Sequence, residues 1–352
     1  MRRPTHPLLA AAAGLLLAPA VAAAQTSPAA APTPSATEPE ASAPAARRDA
    51  APTAPQRRVG GRIGVRLVGG VYRVGRATLT VPGREVRISG RIVPYVPGQR
   101  VVVRIWNGRR LAKQVTVAPK PTRTRRTATF AARFTAGRAG TVRVYATHPE
   151  TPAQRRLASR AASVAVVAPT AGFGTRSPFV GLLQQRLAAL GYAVPRSGVY
   201  DAGTGRAIEA FRKVNGMARV QTLDRAVVDK LLRGEGAFKL RKRAPGRRVE
   251  ANLTQQVLAL IDDNRVVRTY TTSSGAPATP TVLGTYRFYW KQPGVNNKEM
   301  VDSVYFIRGY AIHGYKSVPT YPASHGCLRI PIPDARFVYD WLSLGDRIDV
   351  YY

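Results

Sequence analysis

A chain of 352 residues has room for two or three domains, and a hydrophobic fraction of 45% excludes global disorder. Its single cysteine excludes an internal disulfide and any multi-cysteine zinc site, and four histidines leave little for a metal cage. Lys and Arg number 54 against 19 Asp and Glu, a formal net charge of +35 that favours anionic partners such as nucleic acid, anionic lipid or an acidic wall polymer.

The N-terminus sets Arg2 and Arg3 before a mostly apolar stretch from Leu8 to Ala24, and Ala22-Ala23-Ala24 before Gln25 fits a cleavage site. This predicts an export signal over residues 1–24. The alternative is an uncleaved anchor, because the stretch approaches the ~17-residue lower limit for a spanning helix. A membrane is therefore an expected partner only if the segment is retained, and export removes nucleic acid from the list. Ala, Pro, Ser and Thr dominate from Gln25 to Gln56, which predicts a disordered spacer over residues 25–59.

Residues 60–169 alternate in short runs such as Val101-Val102-Val103-Arg104-Ile105-Trp106 and Thr141-Val142-Arg143-Val144-Tyr145, separated by Pro82-Gly83, Pro97-Gly98 and Ala139-Gly140. Asn107-Gly108 between two such runs signals a hairpin. The pattern predicts an immunoglobulin-like β-sandwich serving as an accessory domain. His148, beside Pro149, is expected in a loop, and Arg123-Thr124-Arg125-Arg126 on a solvated one.

Ser177-Pro178 predicts a helix start, with Val180, Leu183, Leu187 and Leu190 on one stripe and Gly191 as the stop. A second helix is expected after Asp201, with Ala207, Phe211 and Val214 on one face and Gly216 at its end. A third is expected from about Thr222 to Arg233, burying Val227, Val228, Leu231 and Leu232. The string Leu183-Gln184…Leu190-Gly191-Tyr192 then Gly198-Val199-Tyr200-Asp201…Thr204…Phe211…Gly216 resembles the bacterial peptidoglycan-binding domain family over about residues 177–234. It departs at Arg212, where that family often carries Gln. The other reading of the bundle is a packing element between two domains.

After a basic linker from Lys239 to Arg248, strand-like segments return at Val249–Asn252, Val257–Ile261, Val266–Tyr270 and Tyr286–Trp290, with a turn at Asp262-Asp263-Asn264. The sole cysteine then falls within fourteen residues of two histidines, in Ala311-Ile312-His313-Gly314…Ser324-His325-Gly326-Cys327-Leu328-Arg329. A thiol of ordinary pKa near 8.5 needs a base to become a nucleophile, and a histidine on a neighbouring strand supplies one. If His325–Arg329 is extended, His325, Cys327 and Arg329 share a face, and the amides of Gly326 and Cys327 are candidate oxyanion donors. The alternatives are a buried inert thiol and a three-ligand metal site from His313, His325 and Cys327.

The whole string, with Ser273-Ser274-Gly275…Thr279-Pro280…Gly284-Thr285-Tyr286 upstream, resembles the L,D-transpeptidase catalytic domain family over residues 248–352. The resemblance implies a β-sandwich-type domain decorated by a helix at Asp334–Leu342, with Phe337, Val338 and Trp341 on one side. It makes Cys327 the nucleophile and His313 the proton donor and acceptor. His325 and Gly326 shape the oxyanion site, Ser324 supports the turn, and Arg329 and Tyr310 join the substrate site. Gly314 carries no side chain, so a backbone carbonyl or a distant group must orient His313.

The expected protein is thus multidomain and mainly β, and acts in the cell wall or periplasm. It forms peptidoglycan peptide cross-links through a Cys327 thioester, with donor and acceptor stem peptides and anionic cell-wall polymers as partners and no cofactor or metal. The alternatives are an L,D-carboxypeptidase that uses water as acceptor, and a non-catalytic wall-binding protein. By the resemblance, a carbapenem should acylate the thiol.

Overall fold

The computed structural model describes residues 57–352, so the predicted export signal and nearly all of the predicted spacer lie outside the described residues. Several strands alternate inward apolar residues with outward polar ones, and the first eleven form a sandwich. These are β1 (Arg62–Gly69), β2 (Tyr72–Val74), β3 (Ala77–Thr80), β4 (Glu85–Val93), β5 (Val101–Asn107), β6 (Arg110–Val117), β7 (Lys120–Pro121), β8 (Ala128–Thr135), β9 (Gly140–His148), β10 (Leu157–Ala158) and β11 (Ala162–Val166). One sheet runs β1-β4-β8-β7 and the other β2-β3-β11-β9-β5-β6, with β10 on β9. Their inner faces close over Ile88, Ile92, Val103, Ile105, Phe130 and Val144, a β-sandwich core.

Two local expectations shift. The β5–β6 hairpin forms, but its central residues are Gly108 and Arg109, because Asn107 pairs with Arg110; Gly108 takes the positive φ of 59° that the turn requires. His148 is not in a loop: it ends β9, buried, with Nδ1 2.7 Å from the Arg100 carbonyl. Arg123–Arg126 is an exposed loop as expected.

Three helices follow: α1 (Pro178–Ala189), α2 (Ala202–Val214) and α3 (Arg225–Arg233). Ser177 and Asp201 cap the first two by accepting from the amides of Val180 and Thr204. The third starts later than expected because Asp224, not Thr222, accepts from the Val227 amide. Arg212, the departure from the family pattern, is buried and donates to Asp224 at 2.5 Å and to the Thr222 carbonyl at 3.0 Å, which ties α2 to the start of α3.

The bundle is wedged between the two β units. Phe179, Leu182, Val228 and Leu232 share a core with Tyr72, Leu79 and Val81 of the sandwich. On its other side, α2 presents Glu209 and Lys213, an ion pair at 2.9 Å that is almost wholly buried, to a strand of the last domain, where the Thr271 hydroxyl donates to Glu209 at 2.6 Å.

That domain contains β12 (Arg247–Asn252), β13 (Val257–Asp262), β14 (Arg265–Thr271), β15 (Gly284–Arg287), β16 (Trp290–Val295), β17 (Val301–Ile307), β18 (Tyr310–Tyr315), β19 (Leu328–Pro331), α4 (Ile332–Trp341) and β20 (Arg347–Tyr351). The sheets are β14-β13-β12-β20-β15 and β16-β17-β18-β19, packed over Val249, Leu258, Leu260, Phe306, Ile312 and Leu328. Asp263 and Asn264 both take positive φ in the β13–β14 turn. The segment expected as one strand at Tyr286–Trp290 is broken at Phe288-Tyr289, and its two halves belong to different sheets. Helix α4 begins two residues before Asp334, and its buried residues are Ala335 and Val338, with Phe337 and Trp341 only partly covered. No helix among the described residues is long and apolar enough to cross a membrane.

Candidate active site

Strand β18 carries His313 and pairs in parallel with β19, which sets Ile312 opposite Leu328 and His313 opposite Arg329. Leu328 enters the core, and Cys327, one residue before β19, stays at the rim. The backbone from His325 to Cys327 is not strand: Gly326 has φ 108°, a conformation that L side chains rarely adopt. His325, Cys327 and Arg329 nonetheless line one cavity of ≈ 720 Å³, together with His313 and Ser324.

The loop before Cys327 is held by the upstream segment that the sequence singled out. The Ala323 and Ser324 amides donate to the Ser274 carbonyl at 2.8 and 2.9 Å, and the Ala276 amide to the Ser324 carbonyl at 2.8 Å. Thr281 Oγ1 donates to the Gly326 carbonyl at 2.8 Å. Ser324 Oγ donates to the Cys327 carbonyl at 2.6 Å and accepts from the Gly326 amide at 3.1 Å. That last bond corrects one expectation: the Gly326 amide is used inside the turn, so of the two candidate oxyanion donors the Cys327 amide is the one left.

His313 is 3% exposed, and its Nδ1 lies 3.0 Å from the Gly314 carbonyl. A carbonyl only accepts, so Nδ1 carries the proton and Nε2 keeps its lone pair. Gly314 is glycine for a packing reason: a Cβ there would meet the Ala335 Cβ of α4 at 2.7 Å. The residue that cannot orient His313 with a side chain does so with its backbone. Burial, reinforced by the Arg329 charge, lowers the imidazole pKa to about 4, so the ring is neutral at neutral pH.

Burial also pushes the Cys327 thiol above its ordinary value, against the pull of the Ala311 amide and the charges of Lys298 and Arg329. Its Sγ–H is directed at the Gly309 carbonyl at 3.6 Å. The site therefore joins a neutral thiol and a neutral base in one cavity, an arrangement in which the proton moves as the sulfur attacks. Among the described residues no group of three or more His, Cys, Asp or Glu is placed to hold a metal ion.

The model of the L,D-transpeptidase catalytic domain family matches residues 246–350, and that of a peptidoglycan binding domain matches residues 176–220. Among solved structures, the L,D-transpeptidase (residues 123–326) from Xylanimonas cellulosilytica DSM 15894 is 32% identical over 52% of this chain and 97% of that one, with a TM-score of 0.49. This chain belongs to the L,D-transpeptidase family. An L,D-transpeptidase from Stackebrandtia nassauensis is 22% identical, over 52% of this chain and 95% of that one, with a TM-score of 0.34. One from Mycobacterium tuberculosis H37Rv is 21% identical over 30% and 58%, with a TM-score of 0.29. Comparison with curated proteins gave no match.

Several residues that shape this L,D-transpeptidase cavity carried no recognisable signal in the sequence. Trp290 on β16 and Tyr305 on β17 stack at 4.5 Å between ring centroids and form one wall, with Gln292, Asn296 and Lys298 beside them. They gather only because β16 and β17 form a hairpin, and nothing in the sequence pattern separates β16 from β15. Arg329 stands over the Tyr315 ring at 4.2 Å, and its backbone pairs with Ser273 in both directions, so it both holds the segment and brings a positive charge to the cavity. Tyr310 is the second correction. It does not line the cavity; its ring lies where a Gly326 side chain would be, 2.1 Å from a Cβ built there, and so it backs the turn.

Proposed function

We propose that this L,D-transpeptidase is exported and forms peptidoglycan peptide cross-links through a thioester on Cys327. The reading is carried by one observation: a buried His313 with its proton fixed on Nδ1 lines the same cavity as the only thiol. As Sγ attacks the stem-peptide carbonyl before a terminal D-residue, Nε2 of His313 takes the thiol proton. The Cys327 amide faces the oxyanion, with His325 at the same rim. The C–N bond then breaks, imidazolium gives its proton to the leaving amine, and the thioester remains. An acceptor amine attacks the thioester and passes a proton to His313, which returns it to sulfur as the thiol leaves. Arg329 is suited to a substrate carboxylate, since a guanidinium pairs with it in bidentate fashion. Both matched domains are peptidoglycan domains, which supports the cell wall or another extracytoplasmic space as the place of action.

The test is intact-protein mass spectrometry after exposure to a carbapenem, whose strained carbonyl substitutes for the stem carbonyl. The parent should gain one adduct, and folded Cys327→Ser and His313→Ala should not. A full adduct on folded Cys327→Ser would remove the nucleophile assignment. Masses of muropeptide products then separate an amine acceptor from water, and so cross-linking from carboxypeptidase action.

A further inference from the structure

The charge of this protein is not spread evenly. Residues 57–169, the β-sandwich, hold 24 Lys and Arg against two Glu and no Asp, whereas residues 170–352 hold 26 against 14. Twenty-two of the 24 are Arg. Both glutamates are already paired, Glu85 with Arg133 at 3.6 Å and Glu150 with Arg58. A small fold with so little compensating charge bears a self-repulsion that a bound anion relieves. This excess belongs to a part of the chain that carries no catalytic group.

The outer face of the β1–β4–β8 sheet gives the charge a shape. Its outward residues include Arg62, Gly64 and Arg66 on β1, Arg87, Ser89 and Arg91 on β4, and Thr129, Ala131 and Arg133 on β8, with Glu85 at the start of β4. The register sets Arg66 beside Ser89, and Arg91 between Gly64 and Thr129. Each of these two arginines thus flanks a residue with a short side chain or none. The result is a trough of ≈ 480 Å³ floored by Gly64, Ser89 and Thr129, with Arg66, Arg91 and Thr122 as further lining. A Cβ built on Gly64 meets nothing within 4 Å, so the floor is open there.

We propose that this trough binds a linear polyanion with phosphodiester groups in its chain. Every side chain that lines it and can hydrogen-bond is a guanidinium or a hydroxyl. It has no carboxylate to attract cations and no aromatic ring on which a neutral sugar would stack. Guanidinium forks match phosphate oxygens in bidentate geometry, and outward positions on one strand recur about every 6.8 Å, a spacing suited to repeated in-chain charges. The lining forms a trough rather than a flat patch, which favours a thread-like ligand over a membrane surface. The site is separate from the Cys327 cavity and stands or falls apart from the chemistry proposed there.

The experiment is fluorescence anisotropy with a labelled glycerol-phosphate oligomer, using the full chain. Arg66→Glu with Arg91→Glu should raise Kd about tenfold or more, a loss of about 1.4 kcal/mol or more. Arg104→Glu with Arg143→Glu, on the opposite sheet, changes the net charge equally and should shift Kd by no more than about threefold. Gly64→Phe fills the trough without altering charge and should weaken binding as the first pair does. Thermal melting and carbapenem acylation, which read the fold and the other site, should stay at parent levels in all three. Equal losses from the two charge-reversed pairs would mean a diffuse field and overturn the site. Parent affinity in Gly64→Phe would overturn the trough. Tighter binding to phosphatidylglycerol vesicles than to the oligomer, at equal phosphate, would overturn the polymer as ligand.

Discussion

His313 and Arg329 lie in register across the parallel β18–β19 pairing, and both face the Cys327 cavity. The guanidinium adds to burial in keeping the imidazole unprotonated. Acylation should therefore keep its rate well below pH 6.5, the ordinary histidine value, and lose it only near pH about 4, as His313 gains a proton and stops acting as a base. Stopped-flow acylation against pH checks this; an acid limb centred at 6.5 would refute it. Arg329→Gln removes one depressing charge and should move the limb upward.

The same shift appears in stability. His313 takes a proton near 6.5 when unfolded and only near about 4 when folded, so between those values the unfolded chain binds more protons. Stability should fall as pH drops through that window, by roughly 3 kcal/mol. A His313→Gln variant should show a shallower dependence on pH in urea unfolding.

Ser324 Oγ joins the Gly326 amide to the Cys327 carbonyl, at 3.1 and 2.6 Å. Ser324→Ala frees both groups and loosens the loop that sets the thiol, so acylation should slow by about 10–100-fold while the melting temperature changes little. Equal acylation rates for variant and parent would show that the turn holds without the hydroxyl.

Gly326→Ala should lose acylation, because the backbone sits at φ 108° and the new methyl would collide with the Tyr310 ring. Tyr310→Ala in the same chain removes the collision but not the backbone strain of about 1–3 kcal/mol. Partial recovery in the double variant, read by adduct formation, separates the two causes.

The junction between bundle and catalytic domain rests on Glu209, Lys213 and Thr271. Glu209→Gln strands a buried ammonium and should cost about 3–5 kcal/mol, whereas replacing both charges with Met should cost far less. Chemical denaturation of the two variants measures the difference.

By itself, the sequence determined the elements whose signals are local. The cap at Ser177, the helix start after Asp201, the turn at Asp263-Asn264 and the alternation in β5 and β9 form as read, because each depends on residues a few positions apart. The family strings around Cys327 and the bundle were legible for the same reason: their spacing is contiguous. Tertiary structure alone decided what required distant chain to meet. The split of Tyr286–Trp290 between two sheets follows from which partner strand each half finds, and the Trp290–Tyr305 wall exists only through that choice. The orienter of His313 was open in sequence because any carbonyl in the chain was eligible; packing of Ala335 against Gly314 removed the side chain and left the backbone oxygen within 3.0 Å. Burial of the imidazole and the Arg329 charge, which set its proton affinity, depend on the β18–β19 register. No local pattern encodes that register, because the two strands are joined by a loop whose length fixes neither their direction nor their alignment.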